Sequence, residues 1–188
     1  LRDVAVADEA LLAIAEGGVA CGWVEDEEIL RPIAALAGLV VASIACGKGH
    51  CALCTEMGTI YTWGRADDGQ LGLGDFRERD EPSLVQLPAD ARALGVACGA
   101  DFTVVLLSGG EALSCGCNEL DQLGRPEEDG TSCAELGFVA LPPSVLLSDV
   151  SCGEKHVVCL CEDTRIITWG YHEDGRLGRK RATSVNVS

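Results

Sequence analysis

The chain has 188 residues, 47% of them hydrophobic and 4% aromatic, with 23 glycines, 11 cysteines and a formal net charge of −16. Such a charge argues against direct nucleic-acid binding, which draws its affinity from Lys and Arg displacing phosphate counterions; it suits solubility and the attraction of basic partners. The longest uncharged run, residues 32–47, is shorter than the roughly 20 residues that cross a bilayer, and the N-terminus, interrupted by Asp3, Asp8 and Glu9, lacks the pattern of a secretion signal.

Residues 1–45 read as a degenerate repeat. Ala10–Ile14 and Val19–Gly22 flank Gly17-Gly18 as a hairpin, with Cys21-Gly22 standing where later copies carry Trp-Gly. Glu25-Asp26-Glu27-Glu28 follows in place of a glycine-rich loop.

The unit at 46–97 is fuller. Cys46-Gly47 leads into His50–Thr55 and Thr59–Gly64, two strand-like runs around Glu56-Met57-Gly58, whose glycine suits the positive φ of a tight turn. A loop from Arg65 to Gly74 carries Gln70-Leu71-Gly72, and Pro82–Pro88 and Ala93–Ala97 supply two more short apolar runs. The unit at 98–151 repeats the plan with Cys98-Gly99, Phe102–Ser108, the Gly109-Gly110 turn, Cys115-Gly116 and Gln122-Leu123-Gly124. The unit at 152–188 repeats it with Cys152-Gly153, His156–Cys161, Trp169-Gly170 and Arg176-Leu177-Gly178, then stops.

Three landmarks therefore recur together, stepping by 52 residues from Cys46 to Cys98 and by 54 from Cys98 to Cys152. A period near 50 with four short apolar runs is the arithmetic of a propeller blade, which leans on its neighbours to bury its faces. The expected fold is all-β: a partial arc of a β-propeller, about three complete four-stranded blades and one degenerate blade, forming one propeller domain fragment.

Ile44-Ala-Cys-Gly-Lys-Gly-His50, Gly58-Thr-Ile-Tyr-Thr-Trp-Gly64 and Gly69-Gln-Leu-Gly-Leu-Gly74 resemble the repeat of the regulator of chromosome condensation family. The resemblance runs over about residues 19–186, most strongly from 44 to 178. It implies a seven-bladed propeller, which at this period needs about 360 residues; the chain is therefore expected to be a fragment of a longer protein, with further repeats closing the ring. The family includes an exchange factor for the Ran GTPase, ubiquitin-ligase and kinase appendages, scaffolds and a light receptor, so it implies a module more than one activity.

No residue group calls for catalysis or a cofactor. His50, Phe102 and His156 share one repeat position, and Asp8 falls near it in the degenerate unit. A position that tolerates Phe reads as structural, a histidine held by a backbone hydrogen bond near the channel. Cys51 and Cys54 have the spacing of a zinc or thiol pair, but residues three apart on one strand point to opposite faces, a poor arrangement for two ligands of one ion. The cysteines read instead as small buried hydrophobes of a reducing compartment, cytoplasmic or nuclear.

Charge in the loops after the Gln-Leu-Gly landmarks is the candidate partner surface. Asp75, Glu78, Asp80 and Glu81 follow the first landmark, Glu127, Glu128 and Asp129 the second, and Arg179, Lys180 and Arg181 the third. Equivalent loops of successive blades emerge on one side, placing two acidic patches beside a basic one, although solvated loops carry such charge for solubility alone. The leading expectation is a non-enzymatic protein-interaction module whose partner is a protein, basic or a small GTPase. Phe76, Tyr171 and Trp23 are candidate aromatic anchors. Guanine-nucleotide exchange on a Ran-like GTPase is the alternative, and a zinc or thiol protein a second one.

Overall fold

Four antiparallel sheets of four strands each make up the computed structural model, which describes residues 1–6, 11–24, 29–126, 132–178 and 186–187. The first holds β1 (Asp3–Val6), β2 (Leu11–Ile14), β3 (Ala20–Val24) and β4 (Ile29–Pro32). The second holds β5 (Val41–Cys46), β6 (His50–Thr55), β7 (Ile60–Gly64) and β8 (Arg79–Val85), and the third β9 (Ala93–Cys98), β10 (Phe102–Leu107), β11 (Ala112–Cys117) and β12 (Ser132–Phe138). The fourth holds β13 (Leu147–Cys152), β14 (His156–Cys161), β15 (Ile166–Gly170) and β16 (Asn186–Val187). Strands follow chain order in every sheet, as in a meander closed by tight turns.

The core lies between sheets rather than inside one. In β6, Cys51 and Leu53 join a cluster with Leu12, Ile14 and Val41, while Ala52 and Cys54 join a different cluster with Val96, Val105 and Leu113. Likewise β10 sends Val105 and Leu107 toward the second sheet, and Phe102, Val104 and Leu106 toward the fourth. This is the two-residue period of a strand buried on both faces, which is why these runs are apolar without interruption.

First strands of successive sheets pack against one another, β1 with β5, β5 with β9 and β9 with β13. Their ends ring a cavity of about 510 Å3 bordered by Val6, Cys46, Cys98 and Cys152. Backbone bonds tie the same rim together: Lys48 N–H donates to Ala100 O at 2.8 Å, and Ala100 N–H to Glu154 O at 2.9 Å. At the opposite end Ala93 N–H donates to Gly58 O and Leu147 N–H to Gly110 O. Sheets related by one repeated set of bonds about a shared cavity form a partial β-propeller.

Two details depart from the sequence reading. Ala93–Ala97, grouped with the preceding hairpin on sequence, is the opening strand of the next sheet, so the span 46–97 straddles two sheets. Chain proximity to the landmark before it suggested otherwise, but β9 pairs with β10. In the first sheet the Ala15–Val19 turn matches the Thr55–Thr59 turn bond for bond, and Gly22 faces Leu12 as Thr62 faces Ala52. Trp23, not Cys21, therefore holds the register position of Trp63.

Candidate interaction surfaces

The Gln-Leu-Gly landmark is a two-sided joint. Its leucine carbonyl accepts from its own sheet: Thr62 Oγ1 donates to Leu71 O at 2.7 Å, Ser114 Oγ to Leu123 O at 2.8 Å and Thr168 Oγ1 to Leu177 O at 3.1 Å. Leu71 and Leu123 are fully buried, each burial being worth about 2 kcal/mol. The glutamine side chain staples the loop, Gln70 Oε1 accepting from Asp68 N–H at 3.0 Å and Gln122 Oε1 from Leu120 N–H at 2.7 Å.

The glutamine carbonyl faces the next sheet. Trp169 Nε1–H donates to Gln122 O at 2.8 Å, across the joint between the third and fourth sheets. In the preceding joint the Trp position is Cys115, whose thiol donates to Gln70 O at 3.5 Å, and Thr103 Oγ1–H donates to the same carbonyl at 2.7 Å. With its only proton committed, the Thr103 oxygen accepts from His50 Nε2–H at 3.0 Å. His50 thus carries a proton on Nε2, and its Nδ1 has no partner among the described residues. Burial holds its pKa down at about 4. The structural reading of His50 stands, but its partner is a hydroxyl of the neighbouring sheet rather than backbone.

An aromatic ring over a glycine recurs at the rim. A Cβ on Gly47 would meet His50 Cε1 at 2.1 Å, one on Gly99 would meet Phe102 Cε1 at 1.8 Å, and one on Gly153 would meet His156 Cε1 at 2.1 Å. That explains the Cys-Gly landmark without chemistry. Asp8, expected near this position, lies outside the described residues.

Cys51 and Cys54 sit in different inter-sheet clusters, and among the described residues no group of three or more His, Cys, Asp or Glu side chains is arranged to hold a metal. All eleven cysteines are free thiols. Burial raises Cys54 to about 11 and Cys115 and Cys159 to about 12. Cys46 differs: its Sγ lies 3.7 Å from Cys51 Sγ, and the hydrogen bond from Cys51 lowers its pKa.

The charged candidates divide. Asp75 is engaged: Arg79 donates to it at 2.8 Å and Arg77 N–H at 3.0 Å, and these bonds, that from Arg79 first, hold its carboxyl below the usual range. Glu78 is exposed in the connection to β8, whereas Asp80 and Glu81 are exposed on β8 itself. The last two were expected in a loop; strand pairing begins at Gly64–Arg79 and places them on the outer edge. Glu127, Glu128, Asp129, Arg179, Lys180 and Arg181 lie outside the described residues. Of the proposed anchors, Phe76 is 55% exposed, and Tyr171 carries the Arg176 guanidinium 4.8 Å above its ring while its hydroxyl bonds Glu173. No helix among the described residues is long and apolar enough to cross a membrane.

Two descriptions of the regulator of chromosome condensation (RCC1) repeat match the chain, one over residues 57–106 and the other over 41–70 and 95–122. Protein RCC2 of Homo sapiens is 30% identical over 187 residues, covering 87% of this chain and 35% of that protein. The mitochondrial RCC1 domain-containing protein RUG3 of Arabidopsis thaliana is 34% identical over 157 residues, covering 78% and 34%. Yeast RCC1 (Prp20), solved bound to Kap60, superposes with a TM-score of 0.79 at 21% identity, covering 98% of this chain and 46% of that one. The chain thus spans about a third of the length of each of these two curated relatives.

Proposed function

The chain belongs to the regulator of chromosome condensation repeat family, and on that premise we propose that it is a non-enzymatic, protein-binding part of a larger propeller protein. What carries this reading is the use made of the repeat positions. Gln70, Thr103, His50, Gln122 and Trp169 are all spent in the joints between sheets, so the charged residues outside the repeat pattern are those left to meet a partner. The proposed surface comprises Asp75, Glu78, Asp80, Glu81, Glu127, Glu128, Asp129, Arg179, Lys180 and Arg181, and the proposed partner is a basic protein drawn by the charge of −16. Eleven free thiols support an intracellular setting, cytoplasmic or nuclear.

Relatives include a serine/threonine-protein kinase, Nek8 of Danio rerio, and an E3 ubiquitin-protein ligase, HERC2 of Mus musculus. A module reused beside such different activities supports a binding role here. Exchange on a Ran-like GTPase is the competing reading, since Prp20p of Saccharomyces cerevisiae is described with binding properties to Gsp1p and histones. Against it, the repeat spacing from Cys46 to Gly178 varies by only two residues, which leaves little chain for a wedge.

Purified chain is expected to leave nucleotide release from a panel of small GTPases unchanged. It should bind purified core histones with an affinity that falls with salt and with Glu78→Lys, Glu127→Lys and Glu128→Lys combined. Accelerated release, or histone binding indifferent to that charge reversal, would sink the proposal.

A further inference from the structure

The joint between the first and second sheets is built differently from the other two. In the second sheet the connection from Gly64 to Arg79 carries Gln70-Leu71-Gly72, whereas in the first sheet only residues 25–28 connect Val24 to Ile29. Gly22 also replaces the hydroxyl residue, Thr62 or Ser114, that grips such a loop in its own sheet.

The receiving wall is nonetheless present on the second sheet. Pairing Gly64 with Arg79 and Gly116 with Cys133 makes Asp80, Glu81 and Pro82 the register equivalents of Ala134, Glu135 and Leu136. Cys51 and Trp63 are likewise the equivalents of Thr103 and Cys115. In the next joint those positions hold the loop 69–74: Gly74 N–H donates to Ala134 O at 2.9 Å, Leu73 bridges Glu135, Gly72 lies against Cys115 and Leu136, and Thr103 binds Gln70 O. Between the first and second sheets, Cys51, Trp63, Asp80, Glu81 and Pro82 instead face Leu12, Gly22 and the short segment Ile33, Ala34 and Ala35, which narrows the joint and leaves an open cavity of about 350 Å3. The Trp63 indole N–H, which in Trp169 takes a loop carbonyl at 2.8 Å, has no hydrogen-bond partner among the described residues.

We propose that this cavity is a docking site for a turn of a partner protein carrying a Leu-Gly pair flanked by lysine or arginine. The turn offers a backbone carbonyl to the Trp63 indole, sets its glycine against that ring, and packs its leucine on Leu12 and Pro82. Its basic side chains meet Asp80 and Glu81, where the occupied joint has Ala134 in the first of these positions. Opposite charge fixes the class of occupant, and the neighbouring joints fix the shape of its backbone. This inference rests on the reading of the chain as a protein-binding module and names where, and by what chemistry, that module binds.

The probe is the peptide Gly-Arg-Leu-Gly-Arg-Lys-Arg, the sequence of residues 175–181, titrated into 15N-labelled full chain. Saturable movement of the Trp63 indole resonance is expected, with affinity falling at least about fivefold in Asp80→Asn/Glu81→Gln and about tenfold in Trp63→Phe. Thermal melts establish that both variants fold, and the double carboxylate variant, altered only at exposed residues, carries the test if Trp63→Phe does not. An unmoved indole resonance overturns the proposal, as does equal binding of a peptide with aspartate replacing leucine, which would show charge attraction alone. Self-association of the unliganded chain that Trp63→Phe abolishes would assign the cavity to a second copy and overturn it too. Histone binding that persists while the peptide leaves Trp63 untouched would refute the docking site and leave the module reading intact.

Discussion

Thr103 Oγ1–H donates to the carbonyl of Gln70 at 2.7 Å across the joint between the second and third sheets, in the place where Trp169 serves Gln122 one joint later. The two bonds reach equivalent carbonyls from different strands, so loss of the tryptophan at Cys115 is offset by gain of a hydroxyl at Thr103. Thr103→Val should cost about 1–3 kcal/mol, the usual penalty for leaving a buried polar group unpaired. Thr103→Val with Cys115→Trp and His50→Phe copies the later joint, which has Val157, Trp169 and Phe102 in these places, and should recover most of that loss, since it also removes the His50 N–H that Thr103 accepts. Urea denaturation of the two variants checks this; equal instability would mean that the carbonyl is not what couples the sheets.

Acid should weaken the fold through His50. Its folded-state pKa of about 4 lies below the ordinary 6.5 because burial disfavours the charged ring, so on acidification the unfolded chain binds the proton first. Stability is then full above pH 6.5 and falls by about 3 kcal/mol as pH drops to about 4. His156, also lowered by burial, adds in the same direction. His50→Phe, which borrows the residue used at position 102, should flatten most of this slope, read from melting temperatures across that range.

Gly99→Ala should destabilise by about 3 kcal/mol or more, because the new Cβ would fall 1.8 Å from the Phe102 ring, which is fully buried and cannot swing away. Gly74→Ala is the contrast. Nothing lies within 4 Å of its Cβ, so only its φ of +80° opposes the change, a cost of about 1 kcal/mol. Chemical denaturation of both variants should separate steric from conformational cost.

Three cysteines at one repeat position should react differently with iodoacetamide. Cys46 is stabilised as thiolate by Cys51, whereas burial pushes Cys98 and Cys152 up. Labelling of the folded chain, followed by peptide mass spectrometry, should modify Cys46 well before the other two. Comparable rates at all three would show that the Cys46–Cys51 pair does not set its acidity.

Much of the architecture was legible along the chain, because hairpins are local: Gly58 and Gly110 turn their strands with the same bonds, and the alternating faces of β6 could be read from its residues before any partner was known. The opposed faces of Cys51 and Cys54 follow from the same two-residue period. By contrast, the charged candidates were chosen by chain position alone, and strand pairing moved Asp80 and Glu81 from a loop to an edge.

The sequence by itself determined the repeat, its period and the strand content, since these rest on chemistry recurring within a few residues of each turn. Only the tertiary structure decided that β9 opens a new sheet, that Trp23 rather than Cys21 matches Trp63, that Thr103 answers Gln70 across 33 residues, and that a cavity lies beside Trp63. Those outcomes depend on which face of one sheet meets which face of the next, and a periodic sequence fixes the faces without fixing what fills the space between them.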